Sequence, residues 1–338
     1  MEKENPSNSN FLKPSTRNFK QEISNSSFSA PVWKTVKEST KLNFDVSNIS
    51  QPLIELKSNV QKKFSNMSPI EIFFTFFDDE VLELIVSETK RYASQNNDEA
   101  FAQTFNVALL KRFIGILVLS GYHSMKQIDC YWSTNPTLGV PIVQQTMPRF
   151  MFRKIKKYLH FKDNTDLGKT DKYVKVRPLF DIINLKFMQF DVFHEHLSID
   201  EQMVPYFGRH SCKMYMKNKP IKFGYKLWCM ASSSGYVYKM IPYGGACDNY
   251  DKNMGLGASV VIEMVKELKV PTNYQLYFDN FFTSYYLMCL LTEKRICATG
   301  TVRINRLGKP APNLKTGEKL PKDKIFILQS LYGRCRLA

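Results

Sequence analysis

The chain has 338 residues, 43% of them hydrophobic and 13% aromatic, and a formal charge of +16 from 47 Lys and Arg against 31 Asp and Glu. That length and apolar content exclude a mini-protein and a wholly disordered chain, and favour two domains over one. The positive balance selects a polyanionic partner, nucleic acid before a membrane surface, because the longest apolar run, Phe113 to Leu119, falls far short of the roughly 20 residues of a spanning helix.

The start, Met-Glu-Lys-Glu-Asn-Pro, carries no apolar signal segment, so an intracellular address with no membrane association is expected. Of the first thirty residues twelve are Ser or Asn, and residues 1–60 read as a flexible tail with a short anchored piece around Pro31-Val32-Trp33. Order is expected from Ser68, where Ser68-Pro69-Ile70-Glu71 combines an N-cap, a proline at the first helical position and a capping-box glutamate. Further helical periods run from Val81 to Ala93, from Phe105 to Ser120 with a stop at Gly121, and from Pro148 to His160. The last carries Arg153, Lys154, Lys156 and Lys157, a run that suits a phosphate backbone or a solvated helix face equally well. Residues 61–190 therefore read as a mostly helical domain.

After Asp191 the period turns from helical to alternating. Ile221, Phe223, Tyr225, Leu227 and Cys229 share one strand face, Ser232 to Gly235 make a turn, and Tyr236 to Ile241 return as the hairpin partner. A helix follows with Val260, Val261, Met264, Val265 and Leu268 as its apolar face, then a strand closed by Asp279, a helix from Thr283 to Glu293 and a strand from Arg295 to Arg303. Seven cysteines (130, 212, 229, 247, 289, 297 and 335) include no C-x-x-C pair, which argues against a zinc module and against disulfides.

The chemistry is concentrated in two aspartates. Asp200 closes Leu197-Ser198-Ile199, and Asp279 closes Tyr274 to Phe278. Alone, either is as readily a turn former or an N-cap. Together, at the ends of neighbouring strands, they would offer oxygen ligands to a hard divalent cation. The element order is that of an α/β, ribonuclease H-like core, a mixed sheet with flanking helices, in which the two acidic strands lie side by side. Glu201, next along the strand, points to the opposite face and reads as structural. His194 and His196 lack partners at zinc spacing and read as packing or capping residues, and Asp248 and Asp251 lack the glycine and terminal glutamate of a calcium loop.

Ser198-Ile199-Asp200-Glu201-Gln202-Met203-Val204-Pro205-Tyr206-Phe207-Gly208-Arg209-His210, with Lys219-Pro220-Ile221-Lys222-Phe223-Gly224-Tyr225-Lys226, resembles the signature block of piggyBac-type transposases and their derived proteins. Leu276 to Ser284 and Gly300 to Arg306 resemble the next two blocks, and Phe113 to Tyr122 and Leu159 to Asn164 resemble the helical N-terminal domain, so that the likeness covers about residues 68–306. The resemblance implies a cut-and-paste DNA transposase with three catalytic aspartates, acting through Mg2+ or Mn2+ on double-stranded DNA at transposon ends, in the nucleus and as a homodimer. Asp200 and Asp279 match the first and second aspartates. The third and the family's Cys-rich module have no match before Ala338, so a truncated chain with an incomplete core over 191–306 and a divergent tail over 307–338 is expected. Glu318 and Asp323 in that tail are poor substitutes, lying outside any strand or helix period.

From Phe207 to Lys226 there are six cations, Arg209, Lys213, Lys217, Lys219, Lys222 and Lys226, and no acid, interleaved with aromatic residues. The block reads as a strip for DNA phosphates and flanking bases; Arg303 and Arg306 would reach phosphates on the same face or serve as plain surface residues. The expected function is a transposase-derived DNA-binding protein without strand transfer. The alternative is a fragment of an active transposase that hydrolyses and joins phosphodiesters with Mg2+.

Overall fold

The computed structural model describes residues 51–168, 171–190, 193–217, 219–245, 254–268, 274–302, 327–330 and 333–337. Arg303, Arg306, Asp248, Asp251, Glu318, Asp323, Cys247 and the Pro31-Val32-Trp33 piece lie outside them. The described residues open with α1 (Gln51–Ser65), α2 (Pro69–Phe76), α3 (Asp79–Gln95), α4 (Glu99–Thr104), α5 (Val107–Tyr122), a 3-10 turn (Ile128–Trp132), α6 (Pro141–Thr146), α7 (Arg149–Tyr158) and α8 (Arg177–Met188). The second half contributes β1 (His196–Pro205), β2 (Met214–Tyr215), β3 (Phe223–Ser232), β4 (Val237–Pro242), α9 (Leu256–Val265), β5 (Gln275–Phe278), α10 (Tyr285–Glu293), β6 (Cys297–Gly300), β7 (Ile327–Ser330) and β8 (Gly333–Leu337).

The start of α2 follows its sequence signal. The Ser68 side chain accepts the Glu71 amide, and Glu71 Oε2 accepts the Ser68 amide at 2.7 Å, closing the capping box. Two expectations need correction. Residues 51–60 were assigned to a tail, yet they belong to α1, which is anchored by Phe64 packing edge-on to Phe190 at 5.0 Å, a distant contact that no local period reveals. Gly121 does not stop α5, which runs one residue further and is instead opened by an Asn106 N-cap.

β3 runs antiparallel between β1 and β4, while β5 and β6 lie parallel to β1, giving the order β4-β3-β1-β5-β6 of a ribonuclease H-like sheet. β2 adds a two-residue rung to β3, and β8 continues the sheet parallel to β6 with β7 antiparallel beyond it. The last residues, expected to lack strand character, therefore include a short hairpin whose ladder is set by backbone pairing. One face of the sheet packs on α9 and α10 through Leu197, Ile199, Trp228, Met230, Val261, Leu276, Leu287 and Leu291. On the other face, β1 and β5 present His196, Ser198, Asp200, Gln202 and Tyr277 to solvent.

A second core joins the helices around Leu82, Phe101, Phe113, Phe152 and Ile155. The two halves meet along β4. Asn184 on α8 donates its amide to the Met240 carbonyl at 2.9 Å and accepts the Met240 amide at 2.8 Å, so one side chain satisfies both backbone groups on the strand's free edge. The Tyr236 hydroxyl donates to the Phe187 carbonyl at 2.8 Å, and Lys186 joins α8 to Asp78 and Glu80 at 2.5 and 2.7 Å.

Candidate metal site and nucleic-acid surface

The parallel register sets Ser198 beside Tyr277 and Ile199 beside Phe278, so the next residues, Asp200 and Asp279, are neighbours; Asp279 follows the end of β5, whereas Asp200, expected to close its strand, lies within β1, which runs on to Pro205 paired with β3. Both line a cavity of about 390 Å³ with Ser198, Tyr277, Thr299, Gly300 and Thr301, at the carboxyl ends of β5 and β6 and the middle of β1. The loop beyond β5 fixes its acid. Asp279 Oδ1 accepts the Phe281 amide at 2.8 Å, and its carbonyl accepts the Thr283 amide and hydroxyl at 3.2 and 2.8 Å. The turn-forming and site-lining roles that seemed alternatives in the sequence are thus held by one residue. Gly300 belongs to this arrangement: a Cβ there would lie 2.4 Å from Thr283 Oγ1 and 2.9 Å from the Phe278 ring.

Asp200 Oδ1 accepts the Glu201 amide at 2.8 Å. Desolvation first, then the hydrogen bond and charge of the Glu201 carboxyl, raise Asp200 above its ordinary range. Burial pushes Glu201 up as well, but hydrogen bonds with Asp200 and Lys219 and the charges of Lys226 and Lys219 outweigh it, leaving Glu201 below its ordinary range. Lys219 Nζ sits 3.1 Å from Glu201 Oε1. Lys226 is 6% exposed, 3.8 Å above the Trp228 ring and 4.9 Å from that of Phe281, and burial lowers its pKa. Two cations thus face the acidic edge from β3 and from the loop before it.

The family profile described as Transposase IS4 matches residues 68–330. Human PiggyBac transposable element-derived protein 2 is 36% identical over 277 residues, 80% of this chain. The chain belongs to the piggyBac branch of the IS4 transposase family. A second human relative, PiggyBac transposable element-derived protein 3, is 38% identical over 245 residues, 72% of the chain. The cryo-EM structure of a piggyBac transposase synaptic complex with hairpin DNA shares the fold, with a TM-score of 0.66 and 26% identity over 78% of this chain and 57% of that one. The chain spans less than half the length of the two human relatives, 45% and 41%. The profile also extends beyond residue 306, where the sequence likeness was expected to end, through β7.

PiggyBac-family chemistry uses divalent metal ions. Asp200 and Asp279 fit such an ion in donor type, two carboxylates lining one cavity. Among the described residues no group of three His, Cys, Asp or Glu side chains is placed to hold a metal. The two aspartates would hold an ion that polarises a phosphodiester and acidifies water; Glu201 is committed to Lys219, and Lys219 and Lys226 offset the acids' mutual repulsion.

The six cations of the piggyBac signature block divide by environment. Arg209, Lys217 and Lys222 are exposed. Lys213 is half-buried and donates to the Gly208 carbonyl at 3.0 Å. Lys219 is ion-paired and Lys226 is buried beneath rings. Composition alone could not separate these groups; the signal for Lys226 was its place in a strand flanked by Leu227 and Trp228. Of the basic run on α7, Arg153 pairs with Asp129 and Lys154 with Asp98, leaving Lys156 and Lys157 exposed. His194 accepts a place against the Tyr238 hydroxyl at 2.5 Å, and His196 lies 3.3 Å from that of Tyr277.

Proposed function

We propose that this chain is a nuclear DNA-binding member of the piggyBac-derived proteins, which grips duplex DNA with Arg209, Lys217 and Lys222 beside the Asp200–Asp279 edge, and which by itself does not carry out strand transfer. The observation that carries DNA binding is the segment from Phe207 to Lys226, rich in cations and without an acid, held next to the carboxylates by the Lys219–Glu201 pair. The test is duplex binding by fluorescence anisotropy across a salt series. Each phosphate contact contributes about 0.9 to the slope of log affinity against log salt, so R209A/K217A/K222A should lower the slope by about 2.7 and weaken binding several hundred-fold at roughly 0.1 M salt. An unchanged slope would remove the assigned surface.

The alternative, that these residues serve an active cut-and-paste transposase, is favoured by one fact: the chain covers only 45% of the first human relative and 41% of the second. A longer chain should then cleave transposon-end duplex with Mg2+ or Mn2+ and lose cleavage in D200A and D279A. Cleavage that survives either change would sink that reading.

A further inference from the structure

The exposed aromatic rings of the β2–β3 hairpin and of the loop before it remain unexplained by phosphate binding. Phe207 is 84%, Tyr215 56% and Phe223 43% exposed. Tyr215 and Phe223 are register partners with ring centroids 4.8 Å apart at 39°. Lys213 ties Phe207 to this pair: its ammonium reaches the Phe207 and Gly208 carbonyls at 3.5 and 3.0 Å and lies 5.6 Å from the Phe223 centroid. The other two aromatics of the block, Tyr206 and Tyr225, pack on each other at 4.8 Å, and Tyr225 also meets Tyr173 and His210. The segment thus has an inward aromatic set, Tyr206 and Tyr225, and an outward set that stays exposed to solvent.

We infer that Phe207, Tyr215 and Phe223 form a stacking platform for unpaired nucleobases of a DNA strand. The reading rests on the DNA-binding function above and specifies the form of DNA: a duplex with a single-stranded tail. The chemistry is that of single-strand grooves, in which aromatic faces take successive bases and neighbouring cations follow the backbone. Duplex bases are stacked on one another and offer no free face, so a fully paired ligand would leave these rings idle. Lys213 above Phe223 and exposed Arg209 and Lys222 supply the accompanying charge.

The test uses the full chain and two fluorescent DNAs, a blunt duplex and the same duplex with an unpaired six-nucleotide tail carrying 2-aminopurine. Wild type should prefer the tailed duplex and quench the 2-aminopurine. F207L/Y215L/F223L keeps apolar bulk across the Tyr215–Phe223 rung but removes the π-faces; it should lose about 5- to 150-fold on the tailed DNA for each base stacked, lose the quenching, and keep blunt-duplex affinity and salt slope. A variant that binds the tailed DNA like wild type, or that weakens on both DNAs equally, overturns the platform. Wild-type binding to both DNAs alike without quenching also overturns it while leaving duplex binding intact, whereas binding to neither overturns the DNA-binding reading itself.

Discussion

Lys219 is the cation whose role the structure changes most, and a double-mutant cycle with Glu201 measures that change. Their atoms approach to 3.1 Å, with 34% of the Lys219 side chain and 9% of the Glu201 side chain exposed. At an effective dielectric of about 20 the gross attraction at this separation is about 5 kcal/mol. Solvent screening and the rotamer entropy of a half-exposed lysine remove most of it. In K219A the nearly buried Glu201 keeps Lys226 as a compensating charge, so the loss should be about 1–2 kcal/mol rather than the 3–5 of a wholly buried orphan, with a coupling energy of similar size across K219A, E201A and the double variant. The shifts agree on attraction: Lys219 is raised, its burial outweighed by the Glu201 hydrogen bond and the neighbouring acids, and Glu201 is lowered. A lowered Glu contributes above its unfolded pKa and loses that contribution as pH falls through the folded one; a raised Lys contributes below its unfolded pKa and loses it as pH rises through the folded one. The coupling should therefore be flat through neutral pH and fade at both extremes. Urea unfolding at constant slope reads it, and anisotropy with DNA reads the other half, because an already paired lysine releases few counterions on binding. K219A should leave the salt slope nearly unchanged, whereas R209A lowers it by about 0.9. A K219A chain of wild-type stability whose slope drops by one would show Lys219 to be a phosphate contact, and the reasoning would fail.

Asn184→Leu removes the side chain that satisfies both Met240 backbone groups, and should cost about 2 kcal/mol in urea unfolding and speed exchange of the Met240 amide; unchanged stability and exchange would mean that β4 needs no cap from α8. Asp163 accepts the Thr165 amide at 2.9 Å and Gln95 Nε2 at 3.0 Å, and these bonds lower its pKa from 3.8 to about 2. A depressed carboxylate stabilises above its unfolded pKa and loses that stabilisation as pH falls through the folded one, so D163N should lower the thermal midpoint at pH 6 and converge on wild type as pH falls below about 2. A deficit independent of pH would assign the effect to packing.

What the sequence made legible is what local period and register control. The capping box at Ser68 needs only four consecutive residues, and the structure forms it. The meeting of Asp200 and Asp279 needs only that β1 and β5 pair in parallel with Ile199 beside Phe278; that β1 continues past Asp200 to Pro205 is set by its pairing with β3, which the short apolar run before Asp200 does not reveal. β3 shows the limit. Its alternating apolar face was visible, but residues 226–230 are buried on both faces, and Lys226 lies on the Trp228 side under the rings of Trp228, Tyr243 and Phe281, the last from the loop after β5. A lysine written into such a strand reads as a surface charge until the second layer is known, which is why Lys226 was grouped with the exposed cations.

The same limit governs the charge. The net +16 counts cations without saying which are free, and the acids that neutralise them are distant in sequence: Asp78 and Glu80 for Lys186, Asp129 for Arg153, Asp98 for Lys154, Glu201 for Lys219. Each such pair releases little counterion on binding DNA, so the salt slope reports the exposed remainder and not the composition. On the signature block that remainder is Arg209, Lys217 and Lys222, with Lys213 partly withdrawn by its carbonyl contacts. These cations share the β2–β3 segment with Phe207, Tyr215 and Phe223, while the paired Lys219 and the buried Lys226 lie toward the carboxylates. The segment is thus divided along its length: one part compensates the acidic edge, and the other is left with exposed charge and bare aromatic faces, the combination on which the proposed binding of a DNA strand rests.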